Sequence, residues 1–324
     1  MKKLLILGGG GFIGGALAAK YCDHHEVVIA DACDFSRSSL QFTSLPSHPN
    51  VRLVRMDATD AEAVRALGDD FDYIVHAVAI LGIHKVVERS ILTITTNYSS
   101  CLAALELAER QTHLKKFITF STSEVYGRDV ETARESMDLR IGPANEPRWN
   151  YAASKVLCEH LTNAFARERG VPTTIVRPFN VFGENRLGSN AMSKFVAQAL
   201  LGDTIVLDGS GEQLRAWCYI GDFIDGLSRA LESDYTGEFF NIGNPNNILS
   251  IHGLADRIVK LTGSSSAIVV SHSDVPDVVR RTVCIDKAHE MLGYTPVVGI
   301  DEGIGHVVDW MRTLSADMLH TFLN

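Results

Sequence analysis

Tyr151-Ala-Ala-Ser-Lys155 places a phenol and an ammonium one turn apart on one face of a helix. A free phenol ionises at about pH 10 and is a poor base, but a neighbouring cation favours its phenolate. Such a pair can take the proton of a substrate hydroxyl. The same spacing is common on ordinary amphipathic helices, and it gains meaning here from a second segment, Phe120-Ser-Thr-Ser-Glu-Val-Tyr-Gly127. There Thr122 can hydrogen-bond the hydroxyl or carbonyl on which Tyr151 acts, with Ser123 and Glu124 beside it.

A third group lies near the N-terminus. Leu4-Leu-Ile-Leu-Gly-Gly-Gly-Gly-Phe-Ile-Gly14 sets Gly8, Gly11 and Gly14 at G-x-x-G-x-x-G spacing, after a strand and at the opening of a helix. Glycine permits the tight turn and lets backbone N–H groups approach a pyrophosphate at a helix N-terminus. Phe12 and Ile13 complete that cofactor-binding turn. Asp31, at the end of the second strand, can accept hydrogen bonds from an adenosine ribose diol and repels a 2′-phosphate, which favours NAD over NADP. Asp57, followed by Ala58, is placed either to meet the adenine edge or to cap a helix, with Thr59 and Asp60 competing for the second task. Ala77 and Ala79 are small enough for the cofactor to lie against the backbone. Asn97 and Pro178 are assigned to the same site, where Lys155 can reach the nicotinamide ribose.

The elements that position these groups follow from periodicity. Residues 3–7, 26–30, 51–55, 72–76, 116–121 and 173–177 read as strands. Residues 11–22, 61–67, 91–110 and 151–169 read as helices between them. Apolar strands alternating with helices predict an α/β fold, a doubly wound parallel (Rossmann) sheet covered on both faces. Beyond Pro178 the pattern is irregular. It includes a hairpin expected from 204–207 and 216–220, turned by Asp208-Gly-Ser-Gly, and helices at 222–232 and 251–262. The expectation is an NAD-binding domain from 1–177 plus about 221–243, and a smaller α/β substrate domain from 178–220 and 244–324.

The formal charge of -9 over 324 residues argues against a nucleic-acid surface. Six scattered cysteines form no ligand cluster with histidine, so no metal is expected and a reducing cytoplasm fits. Met1 to Ala19 mimics a secretory signal, but its six glycines suit the dinucleotide turn better than an apolar helix, and no segment reaches transmembrane length.

Taken together, Gly8–Gly14, Asp31, Thr122–Tyr126, Tyr151 with Lys155, and Arg177-Pro-Phe-Asn-Val-Phe-Gly183 resemble the extended short-chain dehydrogenase/reductase family. Within it, the likeness is to NAD-dependent nucleotide-sugar epimerases, dehydratases and decarboxylases, and it runs through Phe240-Asn-Ile-Gly-Asn-Pro245 and Lys287-Ala…Leu-Gly-Tyr294. The resemblance implies that bound NAD+ takes a hydride from C4 of the sugar while Tyr151 removes the hydroxyl proton. The 4-keto group then acidifies C5 and labilises a C5 carboxylate. It also implies that Thr122, Tyr151 and Lys155 are catalytic, that Asn180 lies near the sugar diphosphate, and that Arg215 and Arg281 clamp the diphosphate or the sugar. A homodimer paired through the helices at 91–110 and 151–169 is a further implication.

The second half of the reaction turns on Ser123 and Glu124. dTDP-glucose-type dehydratases carry Asp-Glu there, whereas Thr-Ser-Glu is the pattern of UDP-glucuronate decarboxylases and of GDP-mannose dehydratases. A glutamate facing a substrate carboxylate favours its departure as CO2, with Arg281 or Arg186 steadying it first. Decarboxylation of UDP-glucuronate is the first expectation, 4-epimerisation of a UDP-sugar the second and elimination of water the third. A non-catalytic dinucleotide sensor, the reading from another class, would not need Thr122, Tyr151 and Lys155. One departure from the decarboxylases is the loop after Ala79, Ile-Leu-Gly-Ile-His-Lys-Val-Val-Glu, which lacks their Pro and Tyr.

Overall fold

Leu4, Leu5, Ile6 and Leu7 have no exposed surface, the condition of a strand covered on both faces. They belong to β1 (Lys2–Leu7) in a computed structural model that describes residues 1–188, 190–271 and 278–323. The chain continues through α1 (Phe12–Tyr21), β2 (His25–Asp31), β3 (Val51–Arg55), α2 (Ala61–Arg65), β4 (Tyr73–His76), α3 (Ile83–Glu88) and α4 (Ser90–Glu109). Then come β5 (Lys116–Phe120), β6 (Asp129–Ala133), α5 (Asn150–Arg169), β7 (Thr173–Pro178), β8 (Val181–Phe182) and α6 (Ala191–Leu201). The remainder holds β9 (Ile205–Asp208), β10 (Leu214–Ala216), β11 (Cys218–Tyr219), α7 (Ile220–Glu232), β12 (Glu238–Ile242), β13 (Ile248–Ser250) and α8 (Ile251–Thr262). It ends with β14 (Ile268–Ser271), β15 (Arg280–Val283), α9 (Asp286–Leu292), α10 (Ile300–Arg312) and α11 (Ala316–His320).

Seven strands make one parallel sheet in the order β12-β7-β5-β4-β1-β2-β3. Alternate residues of β1 face opposite layers, as the two-residue period of a strand demands. Leu4 and Ile6 pack with Leu17 of α1 and with Phe223 and Leu227 of α7. Leu5 and Leu7 pack with Cys101 and Leu105 of α4 and Cys158 of α5. The chain runs outward from β1 to β3 and then returns to β4 on the other side of β1. Strand order therefore reverses between β1 and β4, and their carboxyl ends flank the crevice where doubly wound sheets bind ligands.

A second core, with Phe182, Phe195, Leu207, Trp217, Ile258 and Val307, gathers β9, α6, α8 and α10. Beside it stands a four-stranded sheet in the order β13-β10-β15-β6, which takes β6 from the first half of the chain. The hairpin expected from 204–207 and 216–220 does not form. β9 pairs in parallel with β14, β10 pairs with β13 and β15, and β11 pairs with β8. Gly209 and Gly211, both at positive φ, turn the chain as expected. However, Ile205 and Leu207 are drawn into the second core while β10 feeds a different sheet. The partners β14 and β15 lie more than sixty residues downstream of β9 and β10, and β13 more than thirty, where a local turn signal carries no information.

Gly8 has φ of +81°, and a Cβ there would stand 2.7 Å from the Val78 nitrogen. The Gly8→Ala variant is expected to lose roughly 1–2 kcal/mol from the backbone alone, and more from the clash with residues 77 and 78. Urea unfolding and the NAD content of the purified protein check this; unchanged stability with full NAD content would refute it.

Candidate active site

Gly8 donates its N–H to the Ala30 carbonyl at 2.8 Å, tying the glycine loop to β2. Gly14 is equally constrained, since a Cβ on it would approach Gly9 Cα at 2.6 Å. α1 starts from an extended Gly11 with no side-chain cap, so the first N–H groups of the helix, at Phe12, Ile13 and Gly14, have no side-chain acceptor. A helix start of that kind accepts a phosphate oxygen. Asp31 lies beside the loop, its two carboxylate oxygens accepting from the N–H groups of Gly10 and Cys33, each at 3.0 Å. Lone pairs remain on both oxygens for a ribose diol. Burial and the Asp31 charge push the neighbouring Cys33 thiol up to about 12.

Asp57 is exposed and is not the cap of α2. That place belongs to Asp60, which accepts from Glu62 and Ala63 at 3.0 and 3.1 Å. Asp57 is held instead by the N–H and hydroxyl of Thr59, both at 2.8 Å, with Ala58 buried behind it. Ala77 presses its backbone against Gly8, and Ala79 follows two residues later. Asn97 makes contacts that the sequence did not announce. It is fully buried and spends its carboxamide on protein, accepting from the Ile80 N–H at 3.1 Å and donating to Ser154 at 2.9 Å. It thus fastens the chain end after β4 to α5, next to Lys155. Pro178 closes β7 opposite Ile242.

Thr122 opens a 3-10 turn, Ser123–Tyr126, with its Oγ1 accepting the Glu124 N–H at 3.2 Å. Lys155 is buried and donates to the carbonyls of Phe120 at 2.9 Å and Val78 at 3.4 Å. Burial lowers its pKa, and together with Lys155 it drives that of buried His76 well below the usual histidine value. The Tyr151 phenol is raised above its ordinary 10, first by burial and then by the Glu124 charge, while a hydrogen bond with Thr122 and the charge of Arg281 oppose the rise. Sequence spacing pointed to Lys155 as the activating cation. Its ammonium is held by carbonyls at the ends of β4 and β5, and the Arg281 charge is a further influence that lowers the phenol.

Arg281 is buried, lies 3.6 Å from Glu124, and leaves Nε and Nη2 without a hydrogen-bond partner among the described residues. Arg215 is its register neighbour on β10 and bonds the carbonyls of Leu214 and Val278 at 3.0 and 2.7 Å. Both arginines are buried. Asn180 takes a φ of 36° and donates to the Ala216 carbonyl at 3.0 Å. Arg186 sits over the Phe12 ring of the glycine loop at 5.6 Å and bonds the Val181 carbonyl of β8. Burial brings its guanidinium down to about 10, still protonated at neutral pH.

Sequence reasoning assigned no task to Glu159 or Asn241. Both are buried and bonded to Arg177 and Tyr126 respectively, a link between residues far apart in the chain that no local pattern announces. Among the described residues only Cys22, Asp23 and His48 bring three metal-ligating atoms together. The His48 Nδ1 accepts the Asn50 N–H at 3.3 Å, so Nε2 carries the proton and faces Asp23. The cluster is already committed to hydrogen bonds.

A glycine cradle at the sheet's switch point, with a threonine, a tyrosine and a buried lysine at the adjoining strand ends, defines a dinucleotide-dependent enzyme. The chain belongs to the NAD dependent epimerase/dehydratase family, whose model matches residues 4–243, and NAD is its cofactor. It is 32% identical over 326 residues to UDP-N-acetyl-alpha-D-glucosaminuronate decarboxylase of Bacillus cytotoxicus, covering 98% of this chain and 99% of that one. It is 33% identical to UDP-glucuronic acid decarboxylase 1 of Xenopus tropicalis, over 96% of this chain and 72% of that relative. Among solved structures, UDP-glucuronic acid 4-epimerase of Bacillus cereus, in complex with UDP-glucuronic acid and NAD, superposes with a TM-score of 0.88 at 27% identity. That match covers 97% of this chain and all of the other.

Because the Glu124 carboxylate raises the Tyr151 phenol, removing its charge lowers the pH at which Tyr151 ionises. In Glu124→Gln the alkaline rise of the hydride-transfer rate should move to lower pH in a pH–rate profile. A rise that stayed in place would show that the phenol does not feel this carboxylate.

Proposed function

We propose that this protein decarboxylates UDP-glucuronate through a 4-keto sugar. Bound NAD+ supplies the hydride acceptor for C4. Tyr151 takes the C4 hydroxyl proton, Thr122 holds that oxygen by a hydrogen bond, and Lys155, anchored on the ends of β4 and β5, aligns the nicotinamide ribose. The observation that carries the reading is Arg281, buried beside Glu124 with two N–H donors unsatisfied. A buried guanidinium in that condition is stabilised by a carboxylate, with which it forms charge-assisted bonds. The C5 carboxylate of a uronic acid meets that need. Once C4 is a ketone, Glu124 opposes the substrate charge; the C5–carboxylate bond breaks, CO2 leaves, and the electron pair passes to the C4 oxygen. A proton then adds to C5, and as the C4 alcohol is restored Tyr151 returns its proton to the C4 oxygen. Ser123, buried beside Glu124, completes the turn. Asn180 and Arg215 face the sugar diphosphate, Gly8–Gly14 hold the pyrophosphate of the cofactor, and Asp31 and Asp57 hold its adenosine. The division of the chain proposed here keeps residues 178–220 and 244–324 as the sugar-nucleotide part.

A second substrate, UDP-N-acetylglucosaminuronate, shares the C5 carboxylate and is favoured by the near full-length match to a decarboxylase of that compound. 4-Epimerisation of UDP-glucuronate uses the same first half and is supported by the likeness to the Bacillus cereus enzyme. Incubation with UDP-glucuronate, UDP-N-acetylglucosaminuronate and UDP-glucose, read by mass spectrometry, separates these outcomes. Loss of CO2 is expected; an unchanged mass with altered retention means epimerisation, and loss of water means elimination. Tyr151→Phe should reduce every conversion at least on the order of a hundredfold, and Glu124→Gln should spare an epimerase while crippling a decarboxylase.

Pairing of two copies through α4 and α5 accounts for Ile91, Leu92 and Leu157, left 81%, 47% and 46% exposed. Ile91→Asp should convert a dimer to monomer in sedimentation; a variant that sediments like the parent would refute this face. No helix among the described residues is long and apolar enough to cross a membrane, and all six cysteines are unpaired, which supports a cytoplasmic location.

A further inference from the structure

Four side chains with no part in the chemistry above form one hydrogen-bonded unit beneath the site. Arg177 is 3% exposed and gives Nε and Nη2 to the two oxygens of Glu159 at 2.8 and 2.6 Å. Its Nη1 donates to the Tyr126 oxygen at 2.7 Å, and the Tyr126 hydroxyl donates to Asn241 Oδ1 at 2.7 Å. Asn241 Nδ2 then donates to the carbonyls of Ala133 at 3.2 Å and Cys284 at 3.4 Å, and its backbone N–H to Glu135 at 2.7 Å. The guanidinium also lies over the Tyr126 and Phe239 rings, 5.0 and 4.9 Å from their centres. Burial pushes the Tyr126 phenol up to about 12, so it stays neutral near neutral pH and can both accept from Arg177 and donate to Asn241.

Four members or partners of this unit, Glu159, Tyr126, Arg177 and Cys284, lie on or next to an element that carries a site residue. Glu159 is one turn beyond Lys155 on α5. Tyr126 closes the turn that Thr122 opens and that bears Glu124. Arg177 immediately precedes Pro178, and Cys284 follows the strand of Arg281. A well-packed apolar group of equal volume is often no less stable than a buried ion pair; what the polar unit adds is fixed direction between these elements.

We propose that Tyr126, held between Arg177 and Asn241, is a positioning residue that sets the Thr122–Glu124 turn against Tyr151 on α5 and Arg281 on β15. The proposal rests on the reading of that turn as part of the reaction site. It extends that reading to a group that touches neither sugar nor cofactor.

Tyr126→Phe removes the hydroxyl and keeps the ring over Arg177. In NAD-loaded enzyme, single-turnover hydride transfer, followed by the absorbance of the reduced nicotinamide and expressed per loaded site, should fall on the order of tenfold to a hundredfold. KM should stay within about twofold and the melting temperature should hold. Glu159→Gln, which keeps the shape and loses the charge, is judged by the same measures and decides the matter if Tyr126→Phe does not fold. A rate per loaded site within about twofold of wild type, in whichever variant folds, overturns the proposal, because a merely structural role lowers the number of loaded sites and not their speed. Wild type runs alongside on UDP-glucuronate, UDP-N-acetylglucosaminuronate and UDP-glucose. Wild-type silence on the uronates with turnover of UDP-glucose defeats the decarboxylase reading, and the variant comparison then proceeds on UDP-glucose, whose C4 oxidation needs the same turn.

Discussion

A parallel sheet delivers the carboxyl ends of all its strands to one edge, and the glycine turn, Asp31 and the Thr122 turn are answerable to that constraint. β1 supplies the glycine turn, β2 ends in Asp31, β4 in His76 with the Ala77 loop beyond it, β5 in the Thr122 turn and β7 in Pro178. Hydrogen bonds then cross between those ends. Gly8 bonds Ala30, Lys155 bonds the carbonyls following β4 and ending β5, and Asn97 links Ile80 to Ser154. The site is rigid because its side chains bind backbone groups that the sheet already holds in register.

Charge in this crevice is arranged around one phenol. Burial alone makes Tyr151 a reluctant base, and the nearby Glu124 makes it more so. Arg281 offsets part of that effect and at the same time faces Glu124. A substrate carboxylate on Arg281 would disturb both relations at once, coupling proton removal at C4 to the state of C5. Lys155, lowered in pKa by burial, contributes through carbonyl anchoring.

The periodic first half was legible because its signals are local. Apolar strands, helix lengths and the glycine turn all depend on neighbours within a few residues, and each appears within a residue or two of its expected place. Asp31 was legible for the same reason, as the residue ending the second strand beside that turn. Beyond Pro178 the local signals were truthful but insufficient. Gly209 and Gly211 do turn the chain, yet β9 and β10 leave them for separate sheets, where their ladder partners are Ile268–Ser271 and Arg280–Arg281, far along the chain.

The candidate residues Thr122, Glu124, Tyr151, Lys155 and Arg281 and the class of cofactor were legible in the sequence itself. Chemistry restricts which groups can move a proton or cradle a diphosphate, and helical and strand periods restrict where they stand. Tertiary structure alone decided which of those groups act on one another. It turned Lys155 toward carbonyls, gave Asn97 to Ile80 and Ser154, set Arg281 beside Glu124, and bound Arg177, Glu159, Tyr126 and Asn241 into one unit. These are contacts between segments up to 157 residues apart, as with Glu124 and Arg281. Their geometry comes from the packing of whole layers, which no window of sequence contains.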